Sequence, residues 1–128
     1  MYKIMLVDDD DSICDLYHLF FIKQGCEVTI AYDGVDGLEK LKLKTPDIIL
    51  LDLMMPRMSG MDMLDQLKSE DAMRDIPVFI FSNLSDPGMI EVCLKKGAVE
   101  FLVKSQHAPE TIFAKIDGYL TSSIKRIS

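Results

Sequence analysis

A chain of 128 residues, 48% of them hydrophobic, is one domain's worth of polypeptide and can bury a real core. Its 14 basic against 21 acidic residues leave a formal charge of -7, which argues against non-specific binding to DNA, RNA or anionic lipid and points to protein partners. No apolar run reaches the length of a membrane span, and the first hydrophobic stretch meets the aspartates Asp8 to Asp11 too soon for a signal peptide, so a cytoplasmic protein is expected. Cys14, Cys26 and Cys93 are isolated, without C-x-x-C spacing, and read as small buried side chains rather than a zinc site or disulfide framework.

Lys3 to Val7 is a short apolar strand that ends at those carboxylates. From Ser12, the apolar residues Ile13, Leu16, Tyr17 and Phe20 recur at i, i+3, i+4 and i+7, one face of a helix that Gly25 can end, with Asp11 as its expected N-cap. Cys26 to Ala31 reads as a second strand and Asp33-Gly34 as a turn. Val35 to about Lys44 reads as a helix with Val35, Leu38 and Leu41 inward, weakened somewhat by Gly37 and closed by Thr45-Pro46. Ile48 to Leu51 is apolar without alternation, as in a parallel strand covered on both faces, and it stops at Asp52. Pro56 and Gly60 keep the next segment out of a regular helix, and Ser59 is a better cap for the helix that follows, so Asp52 has no local backbone role to fill.

That helix turns Met61, Leu64 and Leu67 inward before a polar break from Glu70 to Asp75. Pro77 opens a strand over Val78 to Phe81, which ends in the hydroxyl of Ser82 and a loop of Asn83, Leu84 and Ser85. Asp86 caps the next helix, with Pro87 in its first turn and Gly97 past its end. Glu100 to Val103 is a last strand that runs straight into Lys104. Pro109 starts a final helix whose buried stripe is Ile112, Ile116, Tyr119 and Leu120, extended by Ile124.

Alternating strands and helices predict an α/β, doubly wound, five-stranded parallel sheet with helices on both faces. Right-handed crossovers bring the C-terminal ends of all the strands to one edge, where open α/β sheets bind ligands. Asp8, Asp9, Asp52, Ser82 and Lys104 meet there. Converging carboxylates repel one another, and either a shared proton or a divalent cation resolves the conflict. Oxygen ligands without histidine or cysteine favour Mg²⁺. The ammonium of Lys104 is a point charge suited to a phosphoryl oxygen, and Ser82 adds a neutral donor. The set suits transfer of a phosphoryl group onto a carboxylate.

The segments VDDDD, DLMMPRMSG, FS and FLVK, each at the end of a strand and in this order, resemble a response-regulator receiver domain of two-component signalling. The resemblance covers essentially the whole chain and implies a flavodoxin-like sheet of order 2-1-3-4-5 in a single receiver domain over 1–128. It implies that Asp52 accepts a phosphoryl group from a sensor histidine kinase, a histidine phosphotransfer protein or a small phosphodonor. Asp9 would be the main Mg²⁺-binding acid, Asp8 its partner through metal-bound water, and Met54 a ligand through its backbone carbonyl. Lys104 would pair first with Asp52 and then with the phosphoryl group. Ser82 would turn inward to bond a phosphoryl oxygen, and Phe101 matches the aromatic switch position. The signal would reach an output protein at the face formed by the fourth helix, fifth strand and fifth helix, by biasing a two-state equilibrium. Such a chain is a signalling module that phosphorylates and dephosphorylates itself, not a metabolic enzyme.

Two positions depart from the family pattern: Ser105 stands where a cis-linked proline usually follows the lysine, and Asn83 where a small residue usually follows the hydroxyl. Met54 and Leu84 occupy positions resembling the family's rate-tuning sites, and since neither side chain can orient a water molecule, a long-lived phosphoryl state is expected. Asp10 and Asp11 read as capping and solvated residues, and His18 and His107 as surface or partly packed imidazoles. The methionines read mostly as core, and for Phe101 the plainer role is packing. An aspartyl-phosphate phosphatase is a second reading, but Met54 stands where such enzymes carry a second acid, and 128 residues leave no room for a cap. A receiver-like interaction module that does not use phosphorylation is a third, against which Asp9, Asp52, Ser82 and Lys104 are all present.

Overall fold

Four consecutive residues of the central strand, Ile48–Leu51, have no exposed surface, so both faces of that strand are covered as its unbroken apolar run predicts. A computed structural model describes residues 1–84 and 86–127, the side chains of 123–127 excepted. The strands are β1 (Lys3–Val7), β2 (Glu27–Ala31), β3 (Ile48–Leu51), β4 (Val78–Ser82) and β5 (Glu100–Val103). The helices are α1 (Asp11–Lys23), α2 (Gly34–Leu41), α3 (Gly60–Ser69), α4 (Pro87–Lys95) and α5 (Pro109–Ile127). All strand pairs are parallel, in the order β2-β1-β3-β4-β5, which is the doubly wound, flavodoxin-like arrangement. Among the described residues no helix is long and apolar enough to cross a membrane.

Because side chains alternate across a strand, the sheet feeds two cores. Met5, Val7, Ile49, Leu51, Val78 and Ile80 meet α3 and α4 through residues such as Leu64, Leu67 and Cys93. Ile4, Leu6, Ile48, Leu50, Phe79 and Phe81 meet α1 and α5 through Tyr17, Phe21, Ile112 and Ile116. The three cysteines are buried and free, as expected of small apolar side chains.

Several local expectations shift. The N-cap of α1 is Asp10 rather than Asp11: its carboxylate accepts from the Ser12 and Ile13 N–H groups at 3.0 and 3.2 Å. The buried face of α1 is Cys14, Tyr17 and Phe21, whereas Leu16 is half exposed and Ile13 and Phe20 only flank the core. Apolar residues surround most of this helix, so periodicity leaves its rotation open. The edge-on contact of Tyr17 with Phe81, at 5.1 Å between ring centres, belongs to the rotation adopted. α2 stops at Leu41, short of Lys44, and Val35 is only half buried. Gly37 packs closely on α3, since a β-carbon there would stand 2.8 Å from Met63 Cε, the end of a flexible side chain. β2 begins at Glu27, one residue after Cys26. Ser59, Asp86 and Pro87 serve as expected at the starts of α3 and α4. The stripe Ile112, Ile116 and Leu120 is buried with Tyr119 packed beside it; Ile124, and the loop residue Ser85, lie outside the described residues.

Candidate functional site

Register assembles the site. Val7 of β1 pairs with Leu51 of β3, so the next residues, Asp8 and Asp52, leave the sheet side by side. Backbone bonds fix both: the Asp8 N–H donates to the Ala31 carbonyl and the Asp52 N–H to the Val7 carbonyl, each at 2.9 Å. One ligand oxygen from each of Asp8, Asp9 and Asp52 lies within 4.8 Å of the others. Asp8 is fully buried and Asp52 6% exposed, while Asp9 faces solvent. An open groove lined by Asp9, Leu53, Met54, Met55 and Ser59 lies beside the solvent-facing acid. The Met54 side chain points out, 63% exposed, leaving its backbone as the part that can serve the site.

Lys104, at the end of β5, reaches across this edge. Its Nζ stands 2.5 Å from Asp8 Oδ2 and 3.4 Å from Asp52 Oδ2, with the ring of Phe81 beneath it at 5.5 Å. Burial pushes the Asp8 carboxyl above its ordinary value, only partly offset by Lys104 and by the Asp10 N–H that donates to Oδ1 at 2.9 Å. Burial works against the Lys104 ammonium as well, but its hydrogen bond to Asp8 and the charges of Asp8 and Asp52 outweigh it and raise its pKa. One cation therefore serves two of the three carboxylates, Asp8 and Asp52. Three oxygen donors and no nearby histidine or thiolate make a set that fits a hard divalent cation such as Mg²⁺.

Ser82, the last residue of β4, is buried, and its Oγ accepts from the Leu84 N–H at 3.3 Å. Phe101 on β5 is half buried and packs against the core that α3 and α4 share. His18 is exposed on α1 and His107 half buried in the loop before α5; neither joins the acidic cluster. The peptide bonds among the described residues are all trans, and a 3₁₀ turn over Lys104–Gln106 rebuilds the loop where the family usually has a cis-linked proline.

Sequence reasoning did not find what holds the loop between Asp52 and α3. Arg57 adopts φ +61° and its guanidinium donates twice to Asp33, at 2.7 and 3.1 Å. Asp33 also caps α2 by accepting from the Asp36 N–H at 2.8 Å. The Gly34 N–H donates to the Met58 carbonyl and the Gly60 N–H to the Leu53 carbonyl. Only the Asp33-Gly34 turn and the Ser59 cap gave a signal; a contact between residues 24 positions apart has none in a single sequence.

A family model described as the response regulator receiver domain matches residues 4–117. The transcriptional regulatory protein AfsQ1 of Streptomyces coelicolor is 32% identical over 104 residues, 81% of this chain and 45% of that protein. The hybrid signal transduction histidine kinase D of Dictyostelium discoideum is 31% identical over 92% of this chain, which spans 8% of it. The chain thus covers less than half the length of either. The receiver domain of the Francisella response regulator 1452 superposes with a TM-score of 0.88 at 25% identity, covering 96% of this chain and 99% of that one. A CheY-like receiver domain protein from Methanospirillum hungatei JF-1 shares the fold at a TM-score of 0.89 and 24% identity, over 98% of both chains. A match running from the first strand into the last helix takes in all four strand ends that carry the acids, the hydroxyl and the lysine, and with it the chain belongs to the family of response regulator receiver domains.

Proposed function

We propose that the chain is a single receiver domain over 1–128 that accepts a phosphoryl group on Asp52 from a histidine kinase, a histidine phosphotransfer protein or a small phosphodonor. The observation that carries this reading is the Lys104 ammonium, 2.5 Å from Asp8 and 3.4 Å from Asp52 at the edge where the acids converge. Asp52 Oδ1 is held by the Leu53 N–H at 2.8 Å, which leaves Oδ2, on the lysine side, as the attacking atom. As the bond from Oδ2 to phosphorus forms, the bond from phosphorus to the donor's imidazole nitrogen or acyl oxygen breaks, and the donor leaves with that electron pair. Lys104 moves from Asp8 toward the phosphoryl oxygens, and the Ser82 hydroxyl, which has a proton to donate, turns to one of them. Asp8, Asp9, Asp52 and the Met54 carbonyl would hold Mg²⁺, which when bound supplies positive charge to those oxygens.

The module signals rather than turning over a metabolite. Phosphorylation biases Ser82 and Phe101, and the change is read by an output protein at the face of α4, β5 and α5. The net charge of -7 and the apolar lengths of its helices agree with a cytoplasmic role without direct contact with nucleic acid or membrane. Intact-mass measurement after incubation with acetyl phosphate and Mg²⁺ tests the reading. One phosphoryl addition is expected in the wild type, none without Mg²⁺ and none in Asp52→Asn. With Met54 and Leu84 unable to orient a water, the addition persists for minutes after the donor is removed. Addition to Asp52→Asn would sink the assignment, and loss within seconds would sink the slow hydrolysis.

A further inference from the structure

Two residues that this transfer scheme does not use touch each other beside it. Asn83 follows Ser82, Ser105 follows Lys104, and the Ser105 backbone N–H donates to Asn83 Oδ1 at 2.9 Å. The pairing of β4 with β5 ends at Ser82 and Val103, so the Asn83 side chain adds one more tie just beyond the last register pair. It joins the loop that carries the hydroxyl to the turn that carries the ammonium. The tie needs an acceptor of asparagine's reach at 83 and a residue with a backbone N–H at 105, which proline lacks. The two departures from the family pattern are thus halves of a single contact.

We propose that Asn83 is a positioning residue for phosphoryl transfer, fixing the Lys104 turn against the Ser82 loop through the Ser105 N–H. The proposal rests on Asp52 being the phosphoacceptor. Neither group is set for transfer by its present contacts: Ser82 Oγ is engaged with its own loop through Leu84, and Lys104 reaches past Asp52 to Asp8. Both must turn to the phosphoryl oxygens. Donors whose supports are fixed in advance stabilise a transition state without reorganising during it. With the tie, the two loops move as one body; without it, the ammonium and the hydroxyl find the phosphoryl group independently. In the step assisted, Asp52 Oδ2 bonds phosphorus and the donor's oxygen leaves as acetate, with no further reactant.

The test is the rate of phosphorylation by acetyl phosphate in N83A, S105P, S105A and N83A/S105P. Losing one hydrogen bond in the transition state predicts that N83A and S105P each slow transfer about threefold to tenfold. S105A keeps the N–H and matches the wild type, and the double variant is no slower than the slower single one. Mg²⁺ affinity and the urea midpoint of N83A stay at wild-type values, which separates positioning from damage to the fold. Hydrogen exchange at the Ser105 amide, measured without phosphodonor, is slow in the wild type and faster in N83A. A wild-type rate in N83A, additive losses in the double variant, or S105A as slow as S105P would overturn the proposal. If the wild type took up no phosphoryl group from acetyl phosphate, phosphorylation of Asp52 by small donors would fall instead, and the Ser105 amide would still judge the tie: rapid exchange in the wild type overturns it.

Discussion

At Gly60 a β-carbon would stand 1.9 Å from the carbonyl oxygen of Asp52 and 2.9 Å from Leu53 Cα. Both obstacles are backbone, so no side-chain rotation relieves the clash. Gly60→Ala is expected to cost about 3 kcal/mol through forced displacement of the main chain of Asp52 and Leu53, and urea unfolding would show it as a lowered midpoint. A midpoint equal to the wild type's would mean that the loop yields freely and that Gly60 does not position Asp52. The same residue shows what sequence could disclose at this scale. Gly60 reads as a break ahead of the helix, whereas it is the first residue of α3; Asp8, Asp9, Asp52, Ser82 and Lys104 were legible as a group because they stand at the ends of apolar runs of the right length. What Gly60 touches was not legible, because the close approach is made by main chain that any residue at 52 would supply. Asn83 and Ser105 were visible only as departures; that they bond to each other required the loops in three dimensions.

Among the elements, the loop from β3 to α3 depends on a neighbour it does not pair with in the sheet. Arg57 ties it to Asp33, the cap of α2, and this bond, together with the Asp36 N–H, holds the Asp33 carboxyl below its ordinary value. A carboxyl lowered in the folded state stabilises the fold at pH values above its unfolded value, and that stabilisation is lost as pH falls through the lowered folded value. The wild type should therefore melt above Arg57→Ala near neutral pH, with the difference shrinking below about pH 4 as Asp33 protonates. Alanine leaves the backbone at position 57 as disfavoured at positive φ as arginine does, so the comparison isolates the ion pair. A difference in melting temperature that stayed constant down to strongly acidic pH would exclude the pair as its source. Strands were the most legible elements, since short apolar runs such as those of β1 and β3, ending at acids, leave little freedom of placement. The rotation of α1 was the least: with apolar side chains around most of its girth, its inward face is chosen by the fit of Tyr17 and Phe21 against Phe81 and Phe113.

For the molecule as a whole, the sheet's topology concentrates at one edge a charge that the rest of the chain does not offset. Three carboxylates cluster there and two of them, Asp8 and Asp52, share one ammonium, within a protein of formal charge -7. Folding brings these acids together, whereas in the unfolded chain Asp8 and Asp52 are far apart in sequence and solvated. A divalent cation that binds the assembled cluster and not the separated residues must therefore stabilise the fold by mass action. At a Mg²⁺ concentration ten times its dissociation constant the gain is about 1.4 kcal/mol, read as a raised urea midpoint at constant ionic strength. Asp9→Asn removes a solvent-facing ligand without uncovering a buried charge, so the fold survives and the Mg²⁺ gain falls toward zero at the same metal concentration. Potassium chloride at matched ionic strength should act on both proteins alike, because screening requires no site. An equal Mg²⁺ gain in the wild type and in Asp9→Asn would place the ion's effect on the diffuse charge of the surface and remove the acidic edge as a metal site. A gain confined to the wild type would tie the stability of the whole sheet to the same carboxylates that are proposed to serve phosphoryl transfer to Asp52.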